Sequence, residues 1–358
     1  MYASLMSKIM QNIQHWSTNL LSYAGKVQLI NSVILGLQSF WCSCILLPKA
    51  VVDQVYKLCR AFFWASDLRG KLIFKNWSSI CLPWLEGGFD IREVLAWNKA
   101  LLARLLWRLD TTQDGVWNRW VQRYYVSDNT IWEVKASNSQ SESFKSILAV
   151  RDQALTLLGD TQSVKVWLHS CLFQRKFSVA RAYEFFRPRS TCLYWASTLQ
   201  SQSVLPSHAI ITTLAAQMRL PTVGLLCRRG LHLVNRCSLC KGNGECHRHL
   251  FFKCPYSKLV WSSLLNWMRI SSHGYDLISE LYWTRRCGHN SHWKTGWFRG
   301  CLAAAVYFIW NERNARIFNG RERRPPQLVS AIKYVVAIRC VASCSPSFTG
   351  PLIDALNS

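Results

Sequence analysis

The chain has 358 residues, half of them hydrophobic, so it is long enough for two or three domains and too apolar for general disorder. Lys and Arg number 43 against 19 Asp and Glu, which gives a formal net charge of +24. Such a surplus attracts polyanions, with nucleic acid the commonest and an anionic membrane surface the next. The 15 cysteines and the lack of a secretory pattern in residues 1–16 favour a reducing, intracellular compartment.

Apolar residues at helical spacing predict a series of helices in the first part of the chain. These helices cover residues 5–16, 27–37, 51–63, 91–109 and 117–124. Pro48 separates the second helix from the third, because proline cannot continue a helix interior. The apolar stretch 27–47 is interrupted by polar residues such as Gln28 and Asn31, which favours a buried amphipathic helix over a membrane span.

Residues 135–146 form a polar, serine-rich stretch without periodicity, which is typical of a linker. Further helices are predicted over residues 177–186, 207–219, 293–318 and 328–339. Between them lies a cysteine cluster at 237–254. Strand-like alternation is weak everywhere, so the pattern predicts a mainly α fold with a small irregular module at the cysteine cluster.

Four residues of this cluster have the spacing of a zinc site. Two residues separate Cys237 from Cys240, eight separate Cys240 from His249, and four separate His249 from Cys254. Three thiolates and one imidazole make a tetrahedral set with no vacant position, which predicts one structural Zn²⁺ ion worth roughly 10–16 kcal/mol of apparent binding free energy. Cys246 and His247 lie inside the cluster and are alternative ligands.

Basic residues occur in two groups and are predicted to contact nucleic-acid phosphates. The groups are Arg236, Lys241, Arg248 and Lys253 around the cluster, and Arg313, Arg316, Arg321, Arg323 and Arg324 further on. Phe251 and Phe252 are expected to pack beneath the metal rather than to stack on bases. The basic run near Arg321 also matches a nuclear import signal, and it predicts a nuclear location.

Several short motifs carry a resemblance to a known family. The cluster reads Cys237-Ser-Leu-Cys240, then Glu245, His249-Leu-Phe-Phe-Lys-Cys254-Pro255 and Trp261, and it is followed by Trp310-Asn-Glu-Arg-Asn314. This resembles the zinc-binding domain of plant reverse transcriptases. In the N-terminal half, the matching segments are Leu21-Ser-Tyr-Ala-Gly-Lys26, Phe62-Phe-Trp64, Cys81-Leu-Pro83, Glu86-Gly-Gly88 and Asn98-Lys-Ala-Leu-Leu102. They resemble, in order, the region after the polymerase palm of LINE-type (non-LTR) retrotransposons. One departure is Thr213, where that family usually has Trp.

The resemblance implies a domain order and a function. It divides the chain into a thumb-like helical region (1–134), the linker, a reverse-transcriptase zinc-binding domain (147–320) and a C-terminal tail with a helix (321–358). It also implies a palm domain in the parent polyprotein. The net charge favours RNA or DNA as partner, and the polar interruptions of residues 27–47 argue against a membrane. Polymerases and ribonuclease H need converging carboxylates, and the sequence has no Asp-Asp pair, so the chain is predicted not to be an enzyme. The alternatives are an inert relic or a zinc-stabilised protein-interaction module.

Overall fold

The computed structural model describes residues 3–17, 21–64, 75–111, 115–127, 129–230, 234–271, 276–286 and 292–343. Helices dominate these residues, and the strands among them form one antiparallel hairpin of β1 (Leu172–Phe173) and β2 (Lys176–Phe177). The predicted mainly α fold is confirmed. The hairpin was not predicted, since strands of two residues are too short to show alternation. Within the described residues, every helix is too short or too polar to cross a bilayer.

The helices follow the predicted apolar repeats closely. They are α1 (Ala3–Ser17), α2 (Tyr23–Leu29), α3 (Leu35–Cys44), α4 (Lys49–Trp64), α5 (Trp77–Ile80), α6 (Val94–Thr111), α7 (Val116–Val121), α8 (Glu142–Leu158), α9 (Thr161–Ser170), α10 (Val179–Phe186), α11 (Pro206–Ala216), α12 (Val223–Arg228), α13 (Pro255–Met268), α14 (Leu277–Arg286), α15 (His292–Phe318) and α16 (Pro325–Ser343). Wider π-type turns occur at Ile30–Ile34, Gln122–Val126 and His249–Lys253, and tighter 3-10 turns at Trp84–Glu86 and Ala196–Gln200.

One compact unit is drawn from Met1–Leu20, Lys26–Leu72 and Asp90–Arg189. Its central helix is α6, which packs against α3, α8 and α10. Leu106 of α6 and Ile147 of α8 are both fully buried in the shared core. Aliphatic contacts between long helices therefore stabilise this unit.

Asn98 of α6 is a fully buried polar residue inside that core. Its Oδ1 accepts a hydrogen bond of 2.7 Å from the amide of Leu47. Its Nδ2 donates to the carbonyl oxygens of Cys42 at 2.6 Å and Ile45 at 2.9 Å. Because a buried amide without partners costs free energy, these three bonds fix the chain that follows α3 against α6.

The stretch 135–146 is predicted as a linker, but its last five residues form the first turn of helix α8. The hydroxyl of Ser141 accepts a hydrogen bond of 3.3 Å from the amide of Phe144, which caps α8. Phe144 is buried, and Arg151 of α8 donates to the carbonyls of Ile131 and Val134 at 2.6 Å. A serine that suggested a linker by composition is thus a helix cap. The domain limits 1–134, 147–320 and 321–358 stay a prediction.

A second compact unit is drawn from Leu21–Gly25, Ile73–Phe89 and Ser190–Ser358. Its longest helix, α15, packs against α11, α13, α14 and α16. Gly300 on α15 permits a close approach, because a Cβ there would lie 2.8 Å from the carbonyl oxygen of Ser203. The zinc-type cysteine cluster belongs to this unit.

Thr213 of α11, where the resembling family usually has Trp, is buried in this second unit with 1% of its surface exposed. Its Oγ1 has no hydrogen-bond partner among the described residues. The smaller residue therefore places an unsatisfied hydroxyl in an apolar contact between helices, which costs free energy.

Candidate zinc centre

Four side chains meet between the Cys237–Cys240 turn and the start of α13. The Sγ atoms of Cys237 and Cys254 lie 4.0 Å apart, and the Sγ of Cys240 lies 3.4 Å from Nε2 of His249. All four ligand atoms lie within 4.8 Å of one another. Around a tetrahedral zinc ion, with bonds of about 2.3 Å to sulfur and 2.0 Å to nitrogen, ligand atoms lie roughly 3.5–3.8 Å apart. The four atoms therefore fit one Zn²⁺ ion.

The backbone around the thiols favours the thiolate form that zinc requires. The neighbouring Cys254 sulfur and burial raise the pKa of Cys237, and the amides of Cys240 and Leu239 offset only part of that rise. The Cys254 pKa is lowered, first by the hydrogen bond from Cys237 and also by the amides of Tyr256 and Ser257 in the first turn of α13. Without metal the pair shares protons, and a zinc ion displaces them.

His249 opens the π-type turn His249–Lys253, which ends at Cys254. The amide of Cys254 donates to the carbonyl of His249 at 2.7 Å, which brings the two ligands to one side of the ion. Cys246 is exposed, and its Sγ accepts a bond of 3.4 Å from the amide of His249. His247 is buried apart from the four ligands, and burial lowers its pKa to about 4. The geometry thus brings neither alternative ligand into the group.

Glu245, between the two ligand pairs, is a buried partner of Arg313 on α15. The Arg313 Nη2 lies 2.8 Å from Glu245 Oε1, and the exposed side-chain fractions are 3% and 0%. Glu245 Oε1 also accepts a bond of 2.7 Å from the amide of Val223, and Arg313 Nη2 donates to the carbonyl of Pro221 at 3.2 Å. Gly224 allows this approach, since a side chain there would collide with the carbonyl of Glu245. The ion pair therefore fixes α12, the zinc loop and α15 together.

A second ion pair supports the zinc loop from the end of α15. Arg316 Nε lies 2.8 Å from Glu312 Oε1, and Arg316 Nη1 donates to the carbonyl of Leu239 at 3.0 Å. The same guanidinium donates to the carbonyl of Arg323 at 3.0 Å, and it lies over the Tyr256 ring at 4.7 Å. Arg316 thus joins the Cys237–Cys240 turn to the segment between α15 and α16.

These contacts correct two of the predicted phosphate contacts. Arg313 is buried, and the side chain of Arg316 is 8% exposed. Both guanidinium groups are occupied by carboxylates and carbonyls inside the unit, so neither is available to a phosphate. The remaining predicted basic residues are exposed: Arg236, Lys241, Arg248, Lys253, Arg321, Arg323 and Arg324.

Phe251 and Phe252 are buried, as predicted, with 3% and 5% of their surfaces exposed. Phe252 contacts Trp261 of α13 edge to face, and Ser257 Oγ donates to the carbonyl of Leu250 at 2.6 Å. The two rings therefore bury the apolar side of the His249–Lys253 turn, which carries one of the zinc ligands. The charge pairing of Glu245 with Arg313 was missed, although both lie in motif segments.

Comparison with known proteins places the zinc centre in a known domain type. A family described as zinc-binding in reverse transcriptase matches residues 177–261. An Arabidopsis thaliana protein named as a ribonuclease H protein is 27% identical over 175 residues, which are 46% of this chain and 28% of that protein. An uncharacterized mitochondrial protein of Arabidopsis thaliana is 24% identical over 140 residues, which are 37% of this chain and 91% of that protein.

These similarities support a protein related to retrotransposon reverse transcriptases. The chain spans little more than a quarter of the length of the ribonuclease H relative. The predicted zinc cofactor is confirmed, because the matched domain binds zinc and the four predicted ligands form a candidate site for one ion. With four protein ligands the site is closed to substrate, so the ion would stabilise the fold rather than catalyse a reaction.

Proposed function

We propose that this chain is the non-catalytic zinc-binding region of a plant LINE-type (non-LTR) reverse transcriptase, and that it binds RNA or DNA through a basic surface beside the zinc centre. The observation that carries the proposal is the position of Arg321, Arg323 and Arg324. These exposed residues lie in the segment between α15 and α16, and that segment contacts the zinc module. Tyr256 donates to the carbonyl of Arg323 at 2.9 Å, and Lys241 lies 3.2 Å from Glu322.

Lys241 of the first predicted basic group therefore lies beside the segment that carries the three exposed arginines of the second. Arg236, Lys241, Arg248 and Lys253 surround the metal ligands, and the three exposed arginines of the neighbouring segment add to them. Glu322 is the one acid in that segment, and it is paired with Lys241. A surface of this composition attracts the phosphodiester backbone without reading its sequence.

The sequence supports the non-catalytic part of the proposal, because polymerase palms hold two Mg²⁺ ions on paired carboxylates and this sequence has no Asp-Asp pair. The activity of the parent element would then reside in a palm domain of the same polyprotein, and the zinc region would hold template or target. The protein would act in the nucleus, where element DNA is integrated, and the basic run near Arg321 fits import.

The proposal is tested by fluorescence anisotropy of the full chain, loaded with zinc, on single-stranded RNA and on duplex DNA across a salt series. Binding should weaken steeply as salt rises. The triple variant Arg321→Gln, Arg323→Gln, Arg324→Gln removes three phosphate contacts, so on single-stranded RNA the slope of log K against log salt should fall by about 2. Cys237→Ser should abolish both zinc and binding.

A matched control removes the same charge from exposed positions of the other unit: Arg123→Gln, Lys135→Gln and Lys176→Gln. It should leave the salt slope close to that of the unaltered chain. If the chain retains one zinc ion but binds neither nucleic acid at low salt, the nucleic-acid proposal is refuted. That result would favour the alternative of a relic or a protein-interaction module.

A further inference from the structure

A half-open groove of about 500 Å³ lies in the second unit, and none of the zinc ligands lines it. Its volume falls within the roughly 300–1,000 Å³ that ligand pockets occupy. Three cationic side chains line the groove, Lys75, Arg219 and Arg229, against one acid, Glu86. The remaining polar lining is neutral and rich in hydroxyl and amide groups.

Lys75 is held in place at the edge of the Glu86–Gly88 turn. It is 8% exposed, and its Nζ donates to the carbonyl of Gly87 and, at 2.9 Å, to Oε1 of Gln217. Gln217 Nε2 donates to the same Gly87 carbonyl at 2.9 Å. Gly87 has a φ of +80°, and a side chain there would collide with Gln217. The Lys75 ammonium group thus uses two of its three N–H donors to hold the turn, and the third can donate to a ligand.

The positive charges in the groove are only partly compensated, by the one carboxylate of Glu86 and by the Phe89 ring, 5.4 Å from Lys75 Nζ. No ion pair to Lys75, Arg219 or Arg229 occurs among the described residues. The carboxylate of Glu86 is hydrogen-bonded to the backbone, since its Oε2 accepts a bond of 2.8 Å from the amide of Ser190. Burial and, after it, the charge of Arg219 lower the pKa of Lys75 to about 8. A bound anion would remove this repulsion and replace the lost hydration of the ammonium group.

We infer that this groove is a phosphate-binding site in which Lys75, Arg219 and Arg229 hold the oxygens of a phosphate ester. Two guanidinium groups and one ammonium group offer the forked and point-charge donors that phosphate oxygens accept. Hydroxyl and amide groups of Ser79 and Asn76 line the same groove and provide further donors. The phosphate can belong to a free nucleotide or to a nucleic-acid strand, and the second case rests on the proposed function.

The test is calorimetric titration of the zinc-loaded full chain with inorganic pyrophosphate at low salt. Arg219→Gln and Arg229→Gln should each weaken pyrophosphate binding roughly tenfold, the effect of losing a charge-assisted hydrogen bond. Both arginines are exposed, so zinc content and helicity should stay unchanged. The control Arg123→Gln, an exposed arginine of the other unit, should bind pyrophosphate as the unaltered chain does.

Absence of pyrophosphate binding by the zinc-loaded chain, or an equal loss in the Arg123 control, would overturn the inference. A competition with single-stranded RNA then distinguishes the sources. If pyrophosphate displaces RNA and Arg219→Gln weakens RNA binding, the groove holds a strand phosphate. If pyrophosphate binds and RNA is unaffected, the groove holds a free phosphate compound. If pyrophosphate binds and neither single-stranded RNA nor duplex DNA binds at low salt, the proposed function fails while this inference stands.

Discussion

Replacing Glu245 by Gln should destabilise the second unit strongly, although the side chain keeps its shape. Glu245 and Arg313 are 0% and 3% exposed at their side chains, so the substitution leaves the arginine charge buried without a counter-charge. Breaking a buried pair from one side costs about 3–5 kcal/mol. Because the Gln carbonyl still accepts from the amide of Val223, the lower end of that range applies, about 3 kcal/mol.

The assay is thermal unfolding of the zinc-loaded chain followed by circular dichroism, with zinc affinity measured by chelator competition. For a unit of this size, each kcal/mol lowers Tm by about 2–4 °C, so Glu245→Gln should lower it by about 6–12 °C. The double variant Glu245→Gln, Arg313→Met should recover part of the loss, because it removes the buried charge.

The exposed ion pair between Lys145 and Glu142, at 3.1 Å with side chains 28% and 78% exposed, supplies the control. Lys145→Gln should change stability by at most about 0.5 kcal/mol, because water screens such a pair. If Glu245→Gln cost no more than this control, the pair would not act as the internal support that its burial indicates.

Three further outcomes are expected. Zinc affinity should fall as pH falls, because the thiols must lose protons on binding and the raised pKa of Cys237 adds to the cost of deprotonation; competition titrations at several pH values check the sign. Cys240→Ser should lose stoichiometric zinc while Cys246→Ser retains it, as metal analysis of the purified variants will show, and the reverse result would exchange their roles. Thr213→Val should raise the free energy of unfolding by about 1 kcal/mol, since it removes an unsatisfied buried hydroxyl. Thr198→Val, whose hydroxyl donates to the carbonyl of Trp195 at 2.5 Å, should give no such gain in the same denaturant titration.

The helices and the zinc ligands could be predicted because both depend on short sequence distances. Repeating apolar residues reveal the buried face of a helix such as α6, and the two-residue spacing of Cys237 and Cys240 restricts both thiols to one turn. The same local evidence failed for Ser141, because serine is common both in linkers and at helix caps.

Contacts between distant segments could not be predicted in this way. In the sequence, Arg313 belongs to a run of arginines that is typical of a basic surface patch. Only the fold brings it to Glu245, 68 positions earlier. Its burial decides between a phosphate contact and an internal ion pair, and burial of a charged residue depends on the whole chain. The groove around Lys75 is a similar case, since Gln217 lies 142 positions away.

The position of Arg316 couples zinc binding to the ordering of the segment that carries Arg321, Arg323 and Arg324. Its guanidinium bonds to the Leu239 carbonyl inside the ligand turn and to the Arg323 carbonyl in the basic segment. If zinc binding favours the ordered segment, binding of a ligand to the ordered segment favours zinc binding by the same free energy, because linkage is reciprocal. If the proposed polyanion selects the ordered segment, it would therefore raise the affinity for zinc, and loss of zinc would weaken polyanion binding by the same factor.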